Sequence, residues 1–151
     1  MQTAFDLVII GSGPAGRRAA IQAAKLDKSV LVIEKFPRVG GVSVHSGTIP
    51  SKTLRETVLN LSGWRERGFY GRTYKVKNDI TAADWKHRLG QTLNHEVDVL
   101  EHQFCRNGVA MARGHARFTS RNTLEVTQPN GACQVYEFKT ALISVGTKPY
   151  R

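Results

Sequence analysis

The first 34 residues have the pattern of a strand, a glycine-rich turn, a helix and a second strand. An apolar run of strand length, Phe5–Ile10, leads into the motif Gly-Ser-Gly-Pro-Ala-Gly at residues 11–16. Residues 17–26 then predict a helix, and Ser29–Ile33 predicts a second strand that ends at Glu34. Such βαβ units join parallel strands in α/β proteins that bind dinucleotides. The chain is therefore expected to have an α/β fold with a parallel sheet.

The glycine motif offers a place for a pyrophosphate. Gly11 allows a tight turn, Gly13 lets the backbone approach the phosphates, and Gly16 lets the helix pack closely on the strand. The amino end of the predicted helix offers free backbone N–H groups to the phosphates, so Pro14 and Ala15, which precede it, are included in the predicted cofactor site. The motif alone does not separate FAD from NAD.

Glu34 lies 18 residues beyond Gly16, close to the spacing at which an acid accepts hydrogen bonds from a ribose diol. The alternative is an exposed carboxylate at a strand end, but the complete βαβ unit favours the ribose role. A carboxylate there disfavours a 2′-phosphate, and therefore NADP, at this site. Lys35, the next residue, is included in the predicted cofactor site.

Residues 40–52 read GGVSVHSGTIPSK. They resemble the redox-active loop of the pyridine nucleotide-disulfide oxidoreductases, a family of flavoenzymes with the pattern G-G-x-C-x-x-x-x-C-x-P-S-K. Gly40 and Gly41 match its glycines, whereas Ser43 and Thr48 stand where it has two cysteines. A hydroxyl forms neither a disulfide nor a thiolate at neutral pH, so this loop excludes dithiol chemistry.

Soluble flavin-dependent NAD(P) transhydrogenases are the branch of the family that this loop resembles best. They read G-T-I-P-S-K, followed by a Leu-Arg pair like Leu54-Arg55, although many keep a cysteine where this chain has Ser43. The resemblance implies FAD at the N-terminal motif and places Lys52 near the N5 edge of the flavin, where its charge would tune the potential. The loop residues that it implies in cofactor binding are Gly40, Gly41, Ser43, Gly47, Thr48 and Lys52.

His45 is the one histidine of this loop. It could hydrogen-bond the flavin ring or titrate near neutral pH, or it could be a partly exposed loop residue.

Two later segments also resemble parts of the family that contact the cofactor. Residues 114–118, GHARF, resemble the G-x-A-x-F segment beside the adenine. Residues 141–149, ALISVGTKP, resemble the second flavin-contacting segment, A-T-G-S-x-P, with Val145 in place of the usual Thr. The residues implied in binding are Gly114, His115, Ala116, Gly146 and Thr147.

The organisation predicted is the N-terminal part of a Rossmann-like FAD-binding domain. Its segments are the dinucleotide βαβ unit (1–40), the flavin loop and helical segment (41–108), a small antiparallel β-meander (109–140) and a second flavin-contact strand (141–151). Helices are predicted over residues 51–67, with Leu54, Val58 and Leu61 on one apolar face, and 82–107, with Thr81 and Asp84 as a capping pair and an end at Gly108. The expected short strands are Val109–Ala112, His115–Phe118, Thr123–Thr127 and Val135–Phe138.

The chain of 151 residues is shorter than a complete member of this family, so the nicotinamide and dimerisation domains are expected to be absent and the chain alone inactive. The full-length protein is expected to transfer hydride between NADPH and NAD and to form a homodimer or a higher homo-oligomer. The alternatives are a flavin-dependent reductase of a quinone-like acceptor and a non-catalytic nucleotide-binding fragment.

Composition excludes several other classes of protein. With 40% hydrophobic and 23% charged residues, the chain has no apolar run near transmembrane length and no secretory signal, so a cytoplasmic protein without a membrane partner is expected. Cys105 and Cys133 fit two reduced cysteines and no metal site. The net charge of +10 is scattered and has no nucleic-acid motif beside it, so no specific nucleic acid is expected.

Overall fold

A computed structural model describes residues 2–63, 67–71 and 81–147 of the chain. The helices are α1 (Pro14–Ala24), α2 (Gly41–His45), α3 (Thr48–Leu61), α4 (Arg67–Tyr70) and α5 (Ala82–Arg106). The strands are β1 (Ala4–Ile10), β2 (Val30–Glu34), β3 (Ala110–Arg113), β4 (His115–Phe118), β5 (Thr123–Thr127) and β6 (Cys133–Ile143). Residues 64–66 of the first predicted helical segment and 148–151 of the predicted last segment lie outside the described residues.

The chain divides into two compact units. The first comprises Met1–Val42 and Val97–Arg151, and it contains α1 and all the strands named above. The second comprises Ser43–Glu96, and it contains α3, α4 and most of α5. The glycine motif therefore belongs to the first unit, and the loop residues from Ser43 onward belong to the second.

The sheet of the first unit has the strand order β3-β2-β1-β6-β5-β4. β1 pairs parallel with β2 and β6, and β2 pairs parallel with β3. β5 pairs antiparallel with β4 and β6. All residues of β2, Val-Leu-Val-Ile-Glu, are buried, as expected for a strand that is covered on both faces. The predicted α/β fold, a parallel sheet with a small antiparallel portion, is confirmed.

One hydrophobic cluster joins the parallel and antiparallel parts of the sheet. β4 contacts β2 although three strands separate them in the sheet, so the sheet coils back over itself. The buried members of the cluster are Phe5, Val8, Leu31, Ile33, Leu124, Val126, Tyr136 and Phe138. Each large apolar side chain contributes roughly 1.5–3 kcal/mol when it is fully buried, so this core stabilises the pairing of β1 and β2 with the antiparallel strands.

The predicted β-meander over residues 109–140 differs from the structure at both ends. The first predicted strand, Val109–Ala112, corresponds to β3, which pairs parallel with β2 and is not part of the antiparallel portion. At the other end, Val135–Phe138 and the strand predicted from residue 141 are one continuous strand, β6. Lys139 does not interrupt it, because its exposed side chain reaches across to Asp6 on β1. The first half of β6 pairs with β5 and the second half with β1.

Both ends of α5 are as predicted. Thr81 N–H donates to Asp84 Oδ2 at 2.8 Å, and Asp84 N–H donates to Thr81 Oγ1 at 3.4 Å, which is a capping box. After the helix, Gly108 adopts a positive φ of 65°, and Val109 N–H donates to the Phe104 carbonyl. This is the longer bond of a Schellman motif, which ends a helix at a glycine.

The prediction for α3 is wrong in its start, and the apolar face that was predicted for it is largely exposed. Residues 41–45, predicted as loop, form α2, and α3 begins at Thr48 rather than Ser51. Leu54 and Val58 are exposed, whereas Thr57 is buried with its hydroxyl bonded to a backbone carbonyl one turn earlier. Helical spacing identifies residues that share a face, but it does not identify which face is covered.

A hydrogen-bonded cluster fixes the amino end of β1. Asp6 Oδ2 accepts hydrogen bonds from the Ser29 N–H and hydroxyl, each at 2.9 Å, and Lys139 Nζ lies 2.7 Å from Asp6 Oδ1. The Lys139 ammonium, together with the Ser29 donors, holds the pKa of the Asp6 carboxyl well below its usual range. The same pairing raises the pKa of Lys139.

We expect Asp6→Asn to lower the free energy of unfolding at neutral pH, and this loss to shrink as the pH falls below about 4. Folding lowers the pKa of Asp6, so its stabilisation is present above the pKa in the unfolded chain. It is lost as the pH falls toward the pKa in the folded chain. Denaturant unfolding at neutral and acidic pH measures the difference, with Asp98→Asn, an exposed carboxylate on α5, as control. A difference between wild type and Asp6→Asn that stays constant with pH would contradict this account.

Candidate functional site

The glycine motif lies at the carboxyl end of β1, where the chain enters α1. β1, β2 and β6 run parallel, so their carboxyl ends meet at the same edge of the sheet. β2 lies on one side of β1 and β6 on the other, so the strand order reverses direction at β1. In open α/β sheets, ligands bind in the crevice at such a switch point.

The three motif glycines have different surroundings. A Cβ on Gly11 would meet the carbonyl of Ser144, and a Cβ on Gly16 would meet the carbonyl of Gly11 and the hydroxyl of Ser144. A Cβ on Gly13 would meet no atom of the described residues within 4 Å. Gly11 and Gly16 are therefore required by the packing of the chain on itself, whereas the space beside Gly13 is open.

The start of α1 is an anion-attracting helix end. Pro14 occupies the first turn, no side chain among the described residues caps this end, and the first turn contains no acidic residue. Arg17 N–H donates to the Gly13 carbonyl at 2.9 Å, which is the first hydrogen bond of the helix. The N–H groups before it, including that of Ala15, have no intrahelical acceptor and carry the positive end of the helix dipole.

The Glu34 carboxylate is buried at the end of β2 and is held by three donors. Oε2 accepts from the Ser12 N–H at 3.0 Å and from the Ser12 hydroxyl at 2.6 Å. Oε1 accepts from the Phe36 N–H at 3.0 Å. Glu34 is only 7% exposed, so the alternative interpretation of an exposed strand-end carboxylate is wrong. Lys35, by contrast, is exposed, and its Nζ lies 4.9 Å from the centroid of the Phe36 ring.

The turn at Gly40 and Gly41 lies against the glycine motif. Gly40 N–H donates to the Ser12 hydroxyl at 3.1 Å, and a Cβ on Gly41 would lie 3.0 Å from the Cα of Gly13. The structure thus brings together the motif, Glu34 and this turn. Ser12, which links them, was missed from the sequence, because the motif specifies its glycines and leaves the residue between them open.

The predicted adenine segment begins beside Glu34. Gly114 N–H donates to the Glu34 backbone carbonyl at 3.0 Å. His115 and Ala116 follow as the first residues of β4, where His115 is exposed and Ala116 packs against the hydrophobic cluster.

The second predicted contact segment meets the motif through Ser144. Its N–H donates to the Ile10 carbonyl at 2.9 Å, and its hydroxyl lies 3.0 Å from the Gly11 carbonyl oxygen. Gly146 and Thr147 follow and are exposed. Ser144 was not singled out from the sequence, since it lies inside an otherwise apolar run.

The remaining predicted residues belong to the second unit. Ser43 is half-buried in α2, and His45 is half-buried at the end of that helix. Gly47 is the N-cap of α3, and Thr48 is its first residue. Thr48 and Lys52 are both exposed, and they share one side of α3 because residues four apart are neighbours on a helix surface.

The two cysteines of the chain, Cys105 and Cys133, are free and exposed, and neither belongs to the loop of residues 40–52. Within the described ranges, no three His, Cys, Asp or Glu side chains form a group that could hold a metal ion. None of the helices in those ranges is long and apolar enough to cross a membrane.

Residues 5–151 match the family model described as pyridine nucleotide-disulphide oxidoreductase. The chain is similar to the soluble pyridine nucleotide transhydrogenase of Mycobacterium bovis, with 45% identity over 153 aligned residues. It is also similar to the enzyme of the same name from Colwellia psychrerythraea, with 33% identity over 147 residues. These alignments cover 97% of this chain but only 32% and 31% of the relatives, so the chain spans about a third of their length. The predicted resemblance to transhydrogenases is confirmed.

The fold is similar to that of a solved structure, a Cu(II) complex of a mutant of the HOCl-induced flavoprotein disulfide reductase RclA from Escherichia coli. The TM-score is 0.79 at 23% identity, over 100% of this chain and 30% of that chain. The Cu(II) complex of RclA itself gives a TM-score of 0.77 at 22% identity. Since the family model matches nearly the whole chain, the chain belongs to the pyridine nucleotide-disulphide oxidoreductase family.

Proposed function

We propose that the chain binds FAD and forms the flavin-binding part of an oxidoreductase that transfers hydride between NADPH and NAD without a redox-active disulfide. The open space beside Gly13, at the uncapped start of α1, is the observation that carries this proposal. It lies at the switch point of the sheet, where a dinucleotide is expected to bind.

The residues around this space fit the adenosine and pyrophosphate parts of FAD. The start of α1 attracts the phosphates, and the missing side chain of Gly13 gives them room. A carboxylate has about four acceptor positions, and three donors already hold Glu34, so an acceptor position remains for a ribose hydroxyl. Its negative charge would repel a 2′-phosphate, which favours FAD over NADP here. Lys35 and the segment from Gly114 to Ala116 are proposed to flank the adenosine.

The flavin end is assigned to Gly40 and Gly41 and to Gly146 and Thr147. The sequence resemblance to the family, by itself, further implies Ser43, Gly47, Thr48 and Lys52 in flavin binding. Bound FAD would supply hydride transfer between nicotinamides. Lys52 supplies a positive charge, which stabilises negative charge that develops nearby.

Ser43 and Thr48 exclude disulfide chemistry at this loop. Their hydroxyls can donate and accept hydrogen bonds, but they cannot take electrons by forming a disulfide, which requires two thiols. Electrons can then leave to a second nicotinamide, a quinone-like acceptor or oxygen, and we propose the second nicotinamide. The names of the curated relatives, soluble pyridine nucleotide transhydrogenases, support this choice of acceptor. We further propose a cytoplasmic location and a homodimer or higher homo-oligomer.

We expect the protein expressed from its complete reading frame to reduce a nicotinamide analogue of NAD at the expense of NADPH, and to reduce neither glutathione disulfide nor lipoamide. The reason is that Ser43 and Thr48 cannot pass electrons to a disulfide. Absorbance assays with each acceptor at equal concentration measure this selectivity. A thiol alkylator, which reaches the exposed Cys105 and Cys133, should leave the rate unchanged.

Rapid turnover of a disulfide that the alkylator blocks would contradict the proposed function. Turnover of a quinone in place of the nicotinamide analogue would instead support the alternative, a flavin-dependent reductase of a quinone-like acceptor.

A further inference from the structure

We infer that Ser12 is a positioning residue that orients the Glu34 carboxylate for the ribose of FAD and ties it to the turn at Gly40, an inference that rests on the proposed function. Ser12 occupies the first of the three variable positions of the glycine motif, and it acts through Glu34. Its hydroxyl connects the ends of β1 and β2 with the following turn.

The Ser12 hydroxyl is buried and its hydrogen is committed. Ser12 is 1% exposed, and its hydroxyl donates to Glu34 Oε2 at 2.6 Å. This distance is in the short range that is typical of hydrogen bonds between a hydroxyl and a charged oxygen. A serine hydroxyl has one hydrogen to donate and two lone pairs that accept. Here Ser12 Oγ also accepts a hydrogen bond from Gly40 N–H at 3.1 Å, so one of its lone pairs is occupied.

Holding both oxygens prevents the carboxylate from rotating. Ser12 fixes Oε2 through its N–H and its hydroxyl, while Phe36 N–H fixes Oε1. A ribose hydroxyl that binds Glu34 then does not have to order the side chain as it binds. Such preorganisation increases affinity by removing an ordering cost.

A matched pair exists at the opposite end of the same two strands. The Ser29 hydroxyl donates to Asp6 Oδ2 at 2.9 Å, so it also joins β1 to the start of β2 through a carboxylate. This pair lies at the amino ends of the strands, away from the glycine motif. Ser29→Ala therefore removes an equivalent hydroxyl without touching the candidate site.

The test is a double-mutant cycle on the protein expressed from its complete reading frame. FAD is removed and titrated back into wild type, Ser12→Ala, Glu34→Ala and the double variant, with Kd read from flavin fluorescence. We expect Ser12→Ala to raise Kd about tenfold, the size of a lost hydrogen bond to a charged group, and to have little further effect when Glu34 is alanine. An unchanged Kd in Ser12→Ala, or the same tenfold loss in both backgrounds, would overturn the inference.

A second comparison separates orientation from a structural role. Ser12→Thr and Ser12→Val have nearly the same shape, but only the threonine keeps a hydroxyl. We expect the threonine variant to bind FAD about tenfold more tightly than the valine variant, and Ser29→Ala to keep the wild-type Kd. Equal affinity of the Thr and Val variants would overturn the inference. Wild type that binds no FAD in this titration would overturn the proposed function itself, whereas wild-type binding with an unaffected Ser12→Ala would overturn only the role of Ser12.

Discussion

Gly13→Val is expected to abolish the retention of FAD while leaving the fold in place. A Cβ at Gly13 would meet no atom of the described residues within 4 Å, so the protein itself has room for the larger side chain. The backbone at Gly13, with φ −64° and ψ −178°, is extended and can be adopted by any residue. The valine would therefore fill the space that we assign to the pyrophosphate, and its effect would fall on the ligand.

The measurement is the flavin content of the purified protein, together with its free energy of unfolding in the absence of FAD. Gly13→Ala, which adds one methyl group, should give a smaller loss of FAD than Gly13→Val. The free energy of unfolding of either variant should fall by no more than about 1 kcal/mol, which is the typical cost of a poorer residue at a helix N-cap. Wild-type flavin content in Gly13→Val would show that FAD does not bind at this motif.

Gly16→Ala is expected to damage the fold itself. Its Cβ would collide with the Gly11 carbonyl and would lie 2.6 Å from Ser144 Oγ, so β1, α1 and the chain after β6 would have to move apart. Overpacking typically costs about 1–3 kcal/mol, and the upper end of this range is expected where the contact is with backbone. Denaturant unfolding should show this loss, and FAD binding should be lost with it.

The control for Gly16→Ala is the same chemical change at Gly90 in α5. A Cβ at Gly90 would meet no atom of the described residues within 4 Å, and alanine is a better helix former than glycine. Gly90→Ala should therefore stabilise the chain by about 0.5–1 kcal/mol. A Gly16→Ala variant as stable as wild type would contradict the close packing on which this prediction depends.

These two glycines show what a sequence motif can and cannot resolve. Gly13 and Gly16 look alike in the sequence pattern. In motifs of this kind the second glycine lets the backbone approach the pyrophosphate, and the third lets the helix pack closely on the strand. The structure confirms that Gly16 is required by packing, because its Cβ would meet Gly11 and Ser144, which lie far apart in sequence. The role of Gly13 toward a ligand stays a prediction.

Local rules predicted both ends of α5 well, and long-range strand pairing was predicted less well. Thr81, Asp84 and Gly108 act on neighbours within one turn, so their sequence positions are enough to predict the cap and the end of α5. β3 was assigned to the meander because its pairing with β2 joins residues far apart in sequence. Its few apolar residues do not reveal which strand they will pair with.

The glycine motif and Glu34 of the candidate site were predicted from the sequence, but the hydrogen bonds that connect them were not. Glu34 was recognised from its distance to the motif, yet a carboxylate at a strand end is compatible with both burial and exposure. Burial follows here from donors on Ser12 and Phe36, which hold the carboxylate against the motif. The role of Ser12 was not predictable, because a single serine between two glycines forms no recognisable sequence pattern.

An anaerobic reductive titration of the protein expressed from its complete reading frame tests the absence of a redox disulfide most directly. Ser43 and Thr48 leave FAD as the acceptor that we propose, so the yellow absorbance should be lost fully after two electrons per FAD. A flavoenzyme that also holds a disulfide at this loop takes up a further two electrons per FAD. Complete reduction after two electrons is the result that we predict. Uptake of four electrons per FAD, or a protein purified without flavin that takes up none, would contradict it.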